Sequence, residues 1–226
     1  MQIAALALAL IATSVGATDS KCYGTVSNGR LENGIQLPSS GSNYSAYNSL
    51  GVTLGRNYVH SKVSEIVIAA YAAVASTAPK KVFVYGETGW ASGGRIRPHK
   101  THQNGTSVDF FVPVIDETGK SVPLPTTALT EFGYSIDFDS NAQFEKYSID
   151  FEALGEHLFQ LYTAAKQHDA GIALVIFDPR YMPRLFQTEH GIFLKEKLNF
   201  MQHDAWVRHN EHYHVDFSIP CSPGKN

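Results

Sequence analysis

Apolar residues recur along the chain with two different periods, and each period predicts a different kind of element. Val63, Ile66, Val67, Ala70, Tyr71 and Val74 recur at helical spacing, as a helix with one buried face requires. Ser61 is the expected N-cap and Pro79 marks the end. Phe151, Leu154, Leu158, Leu161, Tyr162 and Ala165 mark a second amphipathic helix, started by Asp150 and ended near Gly171. Short apolar runs between turn residues predict buried strands over 81–85 and 172–177, with Asp178-Pro179 stopping the second. Asn104-Gly105 is a turn signal, which puts His102 before the turn and Asp109 on the strand leading into Phe110-Phe111-Val112. From His212 onward polar and apolar residues alternate. On a strand this sets His212, His214, Asp216 and Ser218 on one face and Tyr213, Val215, Phe217 and Ile219 on the other.

The remaining stretches predict less regular structure. Residues 18–54 are rich in Ser, Gly and Asn and read as an irregular N-terminal wrap over the core. Residues 116–147 read as a turn-rich insertion without a long regular element, and 180–200 as one or two short helices. The element order implies an α+β fold, with helices covering one face of a mainly antiparallel sheet. At 226 residues and 43% hydrophobic, the chain can form a single domain over 18–226.

Composition adds a compartment. Ile3 to Ala12 is an almost unbroken run of Ala, Leu and Ile followed by small residues, which reads as a signal peptide over 1–17 cut after Ala17. The run is too short to remain as a membrane anchor, so export to the periplasm or the medium is expected. In an exported chain the two cysteines, Cys22 and Cys221, would form one disulfide fastening the N-terminal tail to the end of the last strand. Two free thiols would be the reading for a cytosolic chain. A net charge of -3 with 17% charged residues leaves no basic footprint for nucleic acid or an anionic membrane surface.

The chemistry lies in the histidines. Of 10 in the chain, His99 and His102 form one short cluster and His209, His212 and His214 a second, each beside an apolar strand. The other histidines, His60, His157, His168, His190 and His203, are scattered and read as surface or helix residues. His102, Asp109 and His214 make a nitrogen and oxygen donor set of three, leaving a fourth tetrahedral position open for water, as catalytic zinc sites do. One Zn2+ per chain is expected, and water activated there would be the nucleophile. His212, beside His214 on the same strand face, is placed to take a proton or to stabilise an oxyanion. Asp216 is either an outer partner for an imidazole or a solvated strand position. Serine-protease and dithiol redox chemistry are excluded for want of Gly-x-Ser-x-Gly and Cys-x-x-Cys.

Pro98-His99-Lys100-Thr101-His102-Gln103-Asn104-Gly105 running on to Asp109, together with His209-x-x-His212-Tyr213-His214-Val215 and Pro220-Cys221, resembles the penicillin-insensitive murein endopeptidases. These belong to the larger group of lysostaphin-like, D-Ala-D-Ala carboxypeptidase-like and hedgehog-like zinc metallopeptidases. Leu37-Pro38, Gly41, Gly93-Gly94 and Val175-Ile176-Phe177-x-Pro179 extend the likeness over most of the mature chain. The resemblance implies hydrolysis of the peptide cross-links of peptidoglycan, with His102, Asp109 and His214 as zinc ligands and His212 as base or oxyanion stabiliser. By the same match His209 is a further catalytic histidine and His99 a substrate-binding one. Thr106 and Ser107 depart from the Leu and Asp common in the family, and Asp216 stands where an Arg is usual. The rival reading is a zinc-stabilised module of the same fold that binds cell wall or protein without cutting it; such a module has no need of His212.

Overall fold

The computed structural model describes residues 19–203, 205 and 207–224. The expected signal peptide lies outside the described residues. At the centre is a five-stranded sheet of β1 (Tyr44–Ala46), β2 (Phe83–Tyr85), β3 (Ser107–Phe111), β4 (Gly171–Ile176) and β5 (His212–Ser218), in the order β4-β5-β3-β2-β1. Only the edge pair β1 and β2 runs parallel; the other neighbours are antiparallel. The expected α+β class with a mainly antiparallel sheet is therefore the fold.

β5 lies between β4 and β3. Its register against β3 sets His214 opposite Asp109, His212 opposite Phe111 and Asp216 opposite Ser107. Tyr213, Val215 and Phe217 enter the main core from one face, as alternation requires. His212, His214 and Asp216 on the other face are buried as well, so this polar face is enclosed and not solvated. β4 differs from its expected burial: Gly171, Ile172 and Leu174 are half-buried and Ala173 is exposed, because β4 is an edge strand with a bulge between Ile172 and Leu174.

Two long helices back the sheet. α1 (Ser61–Thr77) buries Val63, Ile66, Val67, Ala70, Tyr71 and Val74, the set that its periodicity picks out. Its N-cap is His60, whose Nδ1 accepts the Lys62 N–H at 3.1 Å, one residue before the expected Ser61. Ser61 has already entered the helix, and its own N–H is taken by the Ser20 hydroxyl. α2 (Phe151–Gln167) starts at Asp150, whose carboxylate accepts the Ala153 N–H.

Of the two expected places, surface or helix, His157 takes the helix and not the surface. It is fully buried on α2, stacked on Tyr71 with ring centroids 4.7 Å apart, packed against Phe83 and Phe110, and hydrogen-bonded through Nδ1 to the Tyr213 hydroxyl. Burial pushes its pKa down to about 3. Its place three residues after Leu154 and four before Leu161 is within the apolar stripe of the helix, a signal of burial that the sequence held.

The N-terminal wrap is more regular than expected. Lys21–Thr25 and Asn28–Glu32 form an antiparallel hairpin, and Ile35–Gln36 pairs with Tyr58–Val59. Gly24, at φ +70°, and Gly29 sit where the hairpin backbones approach closely: a Cβ on Gly24 would lie 2.2 Å from the Asn28 carbonyl oxygen. Such glycines make the stretch look like loop in the sequence. Cys22 and Cys221 form the expected disulfide, joining this hairpin to the segment after β5. The insertion over 116–147 holds short strands and a 3-10 turn at Ala128–Gly133, and no long element. Among the described residues no helix is long and apolar enough to cross a membrane.

Candidate active site

Asp109 is the hub of the site. It lies on β3, fully buried, and four imidazoles surround its carboxylate. His102 Nε2 is 3.1 Å and His214 Nδ1 2.9 Å from Oδ1. His99 Nδ1 and His212 Nε2 stand farther off on the Oδ2 side, at 3.7 and 3.9 Å.

The second nitrogen of each ring has its own acceptor. His102 Nδ1 donates to the Thr88 carbonyl at 3.0 Å, His214 Nε2 to Asp216 at 2.7 Å, His99 Nε2 to Glu87 at 2.7 Å, and His212 Nδ1 to Glu211 at 2.9 Å. Such outer bonds fix which nitrogen carries hydrogen and turn the other inward as a bare lone pair. His102 Nε2 and His214 Nδ1 both face Asp109 Oδ1, and His214 is hydrogen-bonded to it. A divalent cation bound between them would displace the proton that this contact now uses. His102 Nε2 is buried without a hydrogen-bond partner, though well within contact of the carboxylate. The donor set therefore fits a divalent metal ion with nitrogen and oxygen preference. The potential ligand atoms of His99, His102 and Asp109 also lie within 4.8 Å of one another, so His99 offers an alternative third donor.

The protonation equilibria carry the same strain. Burial would raise the Asp109 carboxyl, yet the His102 and His212 imidazoles and hydrogen bonds from His102 and His214 hold it well below the usual range. Burial lowers His102. Burial would also lower His214, but Asp216 and Asp109 carry it up to about 10. A bound cation would take over the charge that this proton supplies.

Outer residues that the sequence did not mark complete the frame. Glu87, two residues after β2, is buried and receives the Arg56 guanidinium, His99 and the Tyr47 hydroxyl. Burial would raise it, but His99 and Arg56 hold it at about 2. Glu211 is buried beside His212; its Oε2 has no hydrogen bond, and Arg208 Nε is 3.9 Å away. Adjacency to His212 was the signal available for Glu211. For Glu87, which meets His99 only through the tertiary fold, the sequence holds no comparable signal. His209 donates from Nδ1 to the Val207 carbonyl, its ring 4.5 Å from that of His212. Burial, then His212, push His209 down to about 3.

Asp216 is an outer partner of His214 and not a solvated strand position. It also accepts the Ser107 hydroxyl at 2.6 Å across the strand pair. Ser107 and Asp216, two of the departures from the resemblance, are thus partners of each other. Above the cluster opens a cavity of about 550 Å³, walled by Leu50, Leu54, Pro98, Phe132 and Val207, with His99, His209, His212 and His214 reaching it. A model of the family described as penicillin-insensitive murein endopeptidase matches residues 22–226. No curated protein matches the chain.

Proposed function

The chain belongs to the family of penicillin-insensitive murein endopeptidases, and from that membership we propose an exported, zinc-dependent enzyme that hydrolyses peptide cross-links of peptidoglycan with His102, Asp109 and His214 as metal ligands. The observation that carries the zinc assignment is the convergence of two imidazole nitrogens on Asp109 Oδ1, at 3.1 and 2.9 Å, in a buried site. His214 is preferred to His99 as the third ligand because its nitrogen is turned to the same oxygen as that of His102, whereas His99 stands 3.7 Å from the other.

A bound zinc supplies Lewis acidity toward a scissile carbonyl and makes water acidic enough to attack near neutral pH. The chain supplies the rest. Thr88 and Asp216 hold the two ligand rings in the tautomer that leaves a nitrogen bare. His212, with Nδ1 held by Glu211 and Nε2 3.9 Å from Asp109 Oδ2, lines the cavity, where it accepts a proton and returns it to the leaving amine. His209 packs against His212 and acts with it. His99, fixed by Glu87, sits at the cavity wall where the substrate peptide passes. The apolar wall of Leu50, Leu54 and Val207 suits the small apolar side chains of such peptides.

Metal content and cleavage separate the roles. In His214→Ala or His102→Ala, elemental analysis is expected to find zinc well below one per chain; stoichiometric zinc in both would sink the ligand set. In His212→Ala, about one zinc is expected to remain while mass spectrometry finds cross-linked muropeptide dimers uncut. Intact cleavage by that variant would remove His212 from its role.

A further inference from the structure

Tyr134 has a hydroxyl set between two groups of the site. The Glu87 backbone N–H, 2.8 Å away, can only donate, so it donates to the hydroxyl oxygen. The hydroxyl proton is thereby directed to Asp109 Oδ2, at 3.2 Å. The two oxygens of Asp109 consequently have different surroundings. Oδ1 meets His102 and His214, and Oδ2 is engaged by Tyr134, with His99 and His212 standing off at 3.7 and 3.9 Å. The ring is held edge-on by Phe111, His212 and His99, at centroid distances of 5.0, 5.4 and 5.9 Å.

This placement requires space at residue 86. A Cβ on Gly86 would lie 2.6 Å from the Tyr134 hydroxyl and 3.1 Å from Asp109 Cβ. Gly86 does not have a left-handed backbone, so its lack of a side chain serves this approach and not a turn.

We propose that Tyr134 is a positioning residue of the metal site: seated by Gly86, its hydroxyl commits Asp109 Oδ2 and leaves Oδ1 as the single oxygen the carboxylate offers. The inference rests on the zinc reading above. Without the hydroxyl, the carboxylate can turn about Cβ–Cγ and offer both oxygens, which raises the coordination number and weakens the fit. The loss of such an outer bond typically lowers metal affinity about 10- to 100-fold.

Cobalt(II) loaded into the metal-depleted full chain is the probe, because its visible absorption weakens as coordination number rises. In Tyr134→Phe, which keeps the ring, the expected result is a weaker band and a roughly 10- to 100-fold loss of affinity in competition with a chromogenic chelator. Gly86→Ala is expected to do the same in the wild-type background and to cost less in the Tyr134→Phe background, since the closer of its two contacts, to the hydroxyl, is then gone while that to Asp109 Cβ remains. That non-additivity is a readout which general loosening of the fold would not produce, and Gly86→Ala alone carries the comparison if Tyr134→Phe does not fold. A wild-type spectrum and affinity in Tyr134→Phe overturn the proposal and leave the zinc reading standing. A wild-type chain that takes up no cobalt overturns the zinc reading and this inference with it.

Discussion

At the scale of residues, the site is a carboxylate ringed by imidazoles, each aimed by a partner behind it. The partners matter as much as the rings. Glu211 accepts from His212 Nδ1, so removing it should let that ring turn and lose the proton-ready orientation of Nε2. Glu211→Ala is expected to lower kcat on a defined cross-linked muropeptide by about 10²-fold with KM and zinc content near wild type, and Glu211→Gln to recover part of the loss. An unchanged kcat in Glu211→Ala would show that His212 needs no such anchor. His102, Asp109, His212 and His214 were legible in the sequence because short-range features mark them: clustering, a turn signal and strand alternation. Glu87, Tyr134 and Thr88 were not, since each meets the site through contacts 12 to 25 residues away in the chain that only the packed fold defines.

At the scale of elements, β5 works on both faces, with an apolar side holding the core and a polar side holding the cluster. His157 of α2 links the two long helices to that strand through Tyr71 and Tyr213. Its pKa is pushed down to about 3 by burial, below the value of about 6.5 expected in the unfolded chain. The folded state therefore refuses a proton that the unfolded state binds. Stability is full above about pH 6.5 and falls as pH drops toward 3, by up to about 1.4 kcal/mol per unit. Urea midpoints between pH 7 and 4 are expected to fall less steeply for His157→Phe, which keeps an aromatic ring, than for the wild type. Parallel slopes would show that His157 does not carry the effect. Both long helices and β5 were legible because their periodicity is imposed by burial on one face. The N-terminal hairpin was not, because Gly24 and Gly29, needed for its close backbone approach, carry the composition of a loop.

At the scale of the whole molecule, the disulfide between Cys22 and Cys221 closes nearly the entire described chain, with a sequence separation of 199. Loop-closure entropy for so long a span favours the folded state by about 4 to 5 kcal/mol at most. Reduction, or Cys22→Ser with Cys221→Ser, is expected to lower Tm by several degrees. An unchanged Tm would mean that the hairpin and the backbone bonds of Ser222 to Gly24 and Cys22 suffice to hold the ends together. We propose that this fold gathers its histidines around Asp109 to hold a zinc for the hydrolysis of peptidoglycan cross-links. The most direct measurement is cleavage of purified cross-linked muropeptide dimers by the full chain, followed by mass spectrometry while zinc is returned to chelator-stripped protein. Cleavage should be absent in the stripped protein and rise to its full value at one zinc per chain. Undiminished cleavage by protein shown to be free of metal would contradict the claim.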